Sequence, residues 1–142
     1  MKISSGTLII LNNSKVLLCH PSNSGWDNTF TPAKGGVEPS ESIIDAAIRE
    51  TMEEISISIN KELISGKDPI EILYKNKKGK VYKKVYLFKI NISSVSEIGL
   101  TSEILDKSML QLQEIDWAGF ITKKEAKKKI FKKMDIILEH IN

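Results

Sequence analysis

Three glutamates, Glu50, Glu53 and Glu54, stand at positions i, i+3 and i+4 of one short stretch. On an α-helix that spacing projects all three carboxylates from one face. Packed together they repel, and a hard divalent cation supplies the missing counter-charge. Oxygen ligands with no His or Cys beside them favour Mg²⁺ or Mn²⁺ over zinc. The competing reading is an ordinary exposed acidic turn. Upstream, Gly35-Gly36 lets the backbone turn tightly and approach a ligand closely. Glu41 follows six residues after Gly35. Arg49 adjoins the acids and is the only arginine beside 20 lysines. Its planar five-donor fork does what a flexible ammonium cannot.

The elements that must hold these groups are legible from period and caps. Residues 42–55 read as a helix, with Ser42 as cap and Asp45 three residues on, as in a capping box. Ile44, Ala47, Ile48 and Ile55 form its apolar stripe, and the glutamates lie at the stripe's edge. Residues 7–11 and 16–18 read as strands around the turn Asn12-Asn13-Ser14. Residues 20–31 read as a loop rich in Ser, Asn, Gly and Pro. Strands follow at 70–74 and 81–90, joined through Asn76 to Gly79, and another at 112–120. Residues 122–141 read as one helix, opened by a Thr122–Glu125 capping box. Its buried stripe is Ala126, Ile130, Met134, Ile137, Leu138 and Ile141. The sum is an α/β chain of the α+β kind, a mixed sheet between helices.

Size and composition set the frame. At 142 residues the chain is expected to be a single domain, 1–142, with enough mass for a core without staples. No apolar run approaches the roughly 18 residues of a membrane span, so no membrane partner is expected. Cys19 stands alone, which excludes an internal disulfide and a Cys-built zinc site. A reducing, cytoplasmic compartment is the expectation. The net charge of +3 conceals segregation. Residues 35–57 carry six acids against Arg49, whereas residues 75–84 hold six lysines and 123–133 hold seven. An acidic centre in a basic frame suits a site that gathers a cation and then an anionic substrate. The plainer reading of the lysines is a solvated face.

The stretch 34–57, KGGVEPSESIIDAAIRETMEEISI, resembles the box that defines the Nudix hydrolase family. Gly35, Glu41, Arg49, Glu50, Glu53, Glu54 and Ile57 all fall in its register. Thr51 stands where the box has a hydrophobic residue, Ser56 where it has glycine, and Ser40 where glycine is common. None of these removes a carboxylate. KGGVEPSES and RETMEE look most like the branch that cleaves diadenosine tetraphosphate asymmetrically, and its relatives that trim RNA 5′ ends. Members of that branch often carry an acid six residues before the tryptophan matched by Trp117. Here that position is Gln111, and Glu103 or Glu114 are the candidates to replace it.

The resemblance implies a Nudix-type mixed sheet sandwiched between helices. It implies Mg²⁺- or Mn²⁺-dependent hydrolysis of a pyrophosphate bond in a nucleoside diphosphate linked to another moiety. Dinucleoside polyphosphates lead as substrates, followed by RNA 5′-triphosphate ends, then nucleotide sugars, ADP-ribose and nucleoside triphosphates. A non-catalytic nucleotide- or RNA-binding module is the reading of another class. By that analogy Glu50 and Glu54 are metal ligands, with Glu53 a third ligand or the general base, and the Lys34 backbone carbonyl completing the shell. Arg49 is expected to grip Glu41 or Glu53 by a bidentate pair. Lys34, Lys83 and Lys84 are candidates for phosphates, and Trp26, Tyr74, Tyr82 and Tyr86 for a base. His20 and His140 have no metal-spaced partner and read as structural or exposed.

Overall fold

The computed structural model describes residues 1–142. Its centre is β1 (Lys2–Leu11), whose side chains are buried from Ser4 onward. A strand buried on both faces needs both edges paired, and β1 shares its edges among three neighbours. β5 (Val81–Ile92) runs parallel to it along the whole length, from Lys2↔Lys83 to Leu11↔Ile92. On the other edge, β2 (Lys15–Pro21) pairs only with the end of β1, at Ile10↔Val16 and Leu11↔Lys15. The short β3 (Lys34–Gly36) pairs with its beginning, from Ser4↔Gly36 to Gly6↔Lys34. β4 (Ile70–Lys75) lies outside β5, and β6 (Ile115–Thr122) outside β2. The sheet is therefore mixed, and β2 and β3 part from each other along one edge of β1.

Strand alternation sorts the core into two layers. Ile9, Leu11, Leu17, Cys19, Phe88 and Ile90 face α1 (Ile43–Ile55). Leu8, Ile10, Val16, Leu18, Val85 and Leu87 face the carboxyl-terminal helices. The expected arrangement of a mixed sheet between helices is what forms.

Two expectations change. Residues 122–141 do not make one helix. The Thr122–Glu125 capping box forms as read, but α2 stops at Lys129 (Lys123–Lys129). Ile130 is extended and Phe131 leaves the helix, because Ile130 bridges to Phe30 and the Phe131 N–H donates to the Phe30 carbonyl. A 3-10 helix, Lys132–His140, follows. Met134 and Ile137 are three apart and still bury, as that tighter period allows. The strand read over 112–120 begins only at Ile115. Residues before it form a turn in which the N–H groups of Glu114 and Ile115 both reach the Gln111 carbonyl. Trp117 is half-buried and packs at the edge of the second core.

Candidate functional site

α1 is set by its ends. Ser42 caps it, accepting from the Asp45 N–H at 3.0 Å. Asp45 makes no return bond and lies 3.3 Å from Lys61 instead, so only half of the expected capping box exists. At the other end Ser56 holds the left-handed conformation that glycine normally supplies, at φ 56°. That conformation costs a serine roughly 1 kcal/mol. Its Oγ donates to the Met109 carbonyl at 2.7 Å, which offsets part of this. Ser40 is likewise left-handed. Thr51 is fully buried, and its hydroxyl bonds Thr7 Oγ1 and the Ala47 carbonyl, both at 2.8 Å. A threonine is tolerated there because a second buried threonine answers it.

Arg49 organises the acids. Its Nε and Nη2 donate to the two oxygens of Glu41, each at 2.9 Å, in the bidentate geometry expected from sequence. Nη1 donates to Glu50 at 2.8 Å and reaches Glu53 at 3.2 Å. Nη2 also donates to the Gly36 carbonyl at 2.9 Å, which ties the glycine loop to the helix. Hydrogen bonding to Arg49 is the main cause that pulls the Glu41 carboxyl down to about 2, and the same contacts push the arginine up.

Glu50 and Glu54 face inward from the same turn. Burial raises the pKa of both, and the charges of Glu50 and Glu114 add to the effect on Glu54. Glu54 is only 8% exposed, and its pKa is pushed up to about 7. The Lys34 N–H donates to its Oε1 at 3.0 Å. These acids do not converge on one point, and Arg49 already satisfies one oxygen of Glu50. The donor chemistry nevertheless fits a hard dication: oxygen ligands only, crowded and under-neutralised at Glu54. Gly35 packs against the Glu50 carboxylate so closely that a methyl there would overlap it. Gly35→Ala is therefore expected to displace Glu50 and lower kcat/KM at least tenfold. Gly36→Ala, whose methyl would meet nothing, should have a far smaller effect. Equal activities for the two variants would refute the packing argument.

The remaining candidates divide by face. Lys83 continues the alternation of Val85 and Leu87, and lines a groove of about 570 Å³ with Met1, Lys2, Tyr74 and Tyr82. Burial first, then the ammoniums of Lys34 and Lys2, hold its pKa low. Tyr74 is buried, with Tyr82 edge-on to it at 6.2 Å. Lys84 and Tyr86 pair across from Ile3 and Ser5, and Ser5 faces α1. They therefore lie on the opposite side of the sheet from Lys83, and the structure does not gather them into the groove. Trp26 is 51% exposed and stacks on His20.

Of the two acids read as replacements at position 111, Glu103 is bound to Lys15 at 2.8 Å. Glu114 instead lies in electrostatic reach of Glu50 and Glu54, because the Gln111 N–H is anchored on the Glu54 carbonyl. Sequence reasoning missed the His20–Asp116 pair. Only the loop composition after His20 marked the region, and nothing local marked the partner.

A family model described as NUDIX domain matches residues 2–134. No curated protein matches the chain. Among solved structures, a binary complex of C. elegans Ap4A hydrolase is 25% identical, with a TM-score of 0.60 over 96% of this chain and 92% of that one. A MutT NUDIX hydrolase from Burkholderia pseudomallei shares the fold more closely, with a TM-score of 0.70 over 99% and 98% at 13% identity. A MutT protein from Methanosarcina mazei Go1 aligns at 18% identity and a TM-score of 0.59, over 97% and 90%. No helix of this chain is long and apolar enough to cross a membrane. With the box in register on α1, a matching family model over nearly the whole length and the fold of solved relatives, the chain belongs to the NUDIX family and is a pyrophosphohydrolase.

Proposed function

We propose that this enzyme cleaves dinucleoside polyphosphates. One observation carries the reading: in the strand order, Lys34 on β3 lies between β5, which holds Lys83 and the half-exposed Tyr82, and β2, after which the half-exposed Trp26 follows. Lys34 registers with Gly6 on the face of Leu8 and Ile10, and His20, beneath Trp26, follows Val16 and Leu18. A register shift opposite Tyr74 and Lys75 breaks the alternation at Tyr82 and sets its ring against Tyr74, so an aromatic platform, a lysine pair and a second platform share one face. A polyphosphate with a base at each end matches that order. The likeness to C. elegans Ap4A hydrolase points the same way.

Glu50, Glu54 and Glu53, with the Lys34 backbone carbonyl, would hold Mg²⁺ or Mn²⁺. When bound, the metal supplies charge neutralisation on the phosphate and a more acidic attacking water. Glu53, half exposed on the same helix, would take that proton. Arg49, clamped to Glu41, keeps Glu50 and Glu53 aimed from one turn of helix. Lys34 and Lys83 would bind phosphate oxygens, and Trp26 and Tyr82 would stack on the bases.

A specific observation favours RNA 5′ ends as the second reading: none of the seven lysines between 123 and 133 is paired with an acid. A panel of dinucleoside polyphosphates, 5′-triphosphate RNA, nucleotide sugars, ADP-ribose and nucleoside triphosphates separates the two, read by product identity with Mg²⁺. The expected result is a kcat/KM at least tenfold higher for a dinucleoside polyphosphate, unchanged when Lys124, Lys128 and Lys132 become glutamine. A preference for RNA with a steep salt slope that the triple variant loses would overturn the proposal.

A further inference from the structure

His20 is fully buried, and the proposed chemistry does not use it. Both of its ring nitrogens face acceptors. Nε2 lies 2.9 Å from the Gly25 carbonyl and 3.1 Å from that of Ser24. Carbonyls only accept, so Nε2 carries a hydrogen. Nδ1 lies 2.5 Å from Asp116 Oδ1. A bare nitrogen lone pair cannot sit that close to a carboxylate oxygen, so a proton occupies the line between them, whichever partner owns it.

The ring so held carries the loop. Trp26 lies flat on it, with centroids 3.7 Å apart and planes 4° apart, and Phe30 backs both rings. The far end of the loop is tied down separately. Thr29 Oγ1 donates to the Gly25 carbonyl at 2.6 Å, and the N–H groups of Asn28, Thr29 and Phe30 reach the carbonyls of Lys128 and Lys129 on α2. Asp27 in the loop meets Lys124, Glu125, Lys128 and Lys129 of α2 around a shallow surface pocket, and the Lys129 ammonium lies 5.4 Å from the centre of the Phe30 ring. One face of the indole is covered by His20, and Trp26 remains 51% exposed.

We infer that the His20–Asp116 pair is a positioning device for substrate recognition: the proton shared between them fixes the loop and turns the open face of Trp26 outward as a ready-made platform for a nucleobase. The inference rests on the dinucleotide reading above. Its physical basis is that an indole ordered before binding does not have to be ordered at the moment of binding.

The test combines one spectroscopic and one kinetic readout. In a Trp117→Phe background, Trp26 fluorescence and its quenching by acrylamide report the stack directly. His20→Gln and Asp116→Ala are expected to raise acrylamide quenching of Trp26 at least twofold. They should also raise KM for a dinucleoside polyphosphate at least tenfold while kcat stays within about threefold. Asp116→Asn, whose amide can donate to Nδ1 in place of the shared proton, is expected to restore both. Inhibition by inorganic tripolyphosphate, which has no base, should be unchanged in all of them. Trp26→Ala, a change at a half-exposed site, should reproduce the KM effect while leaving the His20–Asp116 hydrogen bond in place.

Quenching unchanged in folded His20→Gln overturns the clamp. A normal KM in Trp26→Ala overturns the platform, including when the His20 variants fail to fold. A wild type that ignores dinucleoside polyphosphates refutes the reading of the previous section instead, and the fluorescence arm still decides whether the clamp exists.

Discussion

Glu54→Gln is expected to lower turnover by about a thousandfold or more, roughly 4 kcal/mol of transition-state stabilisation, while making the metal-free protein more stable above neutral pH. Both effects come from one carboxylate. Glu54 is nearly buried, touched by the Lys34 N–H, and crowded by Glu50 and Glu114. The amide keeps the shape and can still accept from Lys34, but it cannot hold a dication. Without metal, the raised value of about 7, set mainly by burial, means the folded state binds this proton more tightly than the unfolded chain does. That contribution to stability is fully present below the ordinary glutamate range and is lost as pH rises through about 7. The loss amounts to at most about 3 kcal/mol. Melting temperatures in EDTA should therefore converge for wild type and variant at acid pH and separate, in the variant's favour, above pH 7. Wild-type-like turnover would remove Glu54 from the metal site. Identical melting curves at all pH values would remove the argument from crowding.

Arg49→Lys is expected to lower kcat/KM at least a hundredfold, about 2.7 kcal/mol, although the charge is kept. Six hydrogen bonds radiate from one guanidinium, two each to Glu41 and Glu53 and one each to Glu50 and the Gly36 carbonyl. A lysine head group can replace one of these at a time. Released from its fork, Glu41 no longer ties the loop to the helix, and Glu50 and Glu53 lose their common anchor. A second signature follows from Glu41, whose carboxyl is held down to about 2, first by its hydrogen bonds to Arg49. A depressed acid stabilises the fold above its ordinary range, and that contribution disappears as pH falls toward 2. The stability gap between wild type and Arg49→Lys should therefore be widest above pH 5 and close in strong acid. A lysine variant within about twofold of wild type, a difference of about 0.4 kcal/mol, would show that the fork is dispensable.

These two residues were found by spacing, and so was much else. The face shared by Glu50, Glu53 and Glu54, the Ser42 and Thr122 caps, the Asn12-Asn13 turn and the Arg49–Glu41 pair all depend on residues within eight positions of one another. At that range the backbone period settles which groups meet. The layered fold was also legible, because strand alternation in 7–11 and 16–18 marks two buried faces whatever covers them. Other features were decided only when distant segments met. Phe30 draws Ile130 out of helix against a clear helical period, since the two backbone bonds that make their bridge outweigh the weak propensity of a lysine-rich turn. Lys83 and Lys84 are neighbours in sequence, yet the parallel register with β1 sends one to the groove and the other toward α1. Glu114 reaches the acids through a turn hung on the end of α1. His20 and Asp116, 96 residues apart, carry no mark of each other until β2 pairs with β6. Local spacing determined the charges of this centre and their order on the helix. Long-range strand pairing decided which side chains surround it, because only closure of the sheet brings those segments within reach.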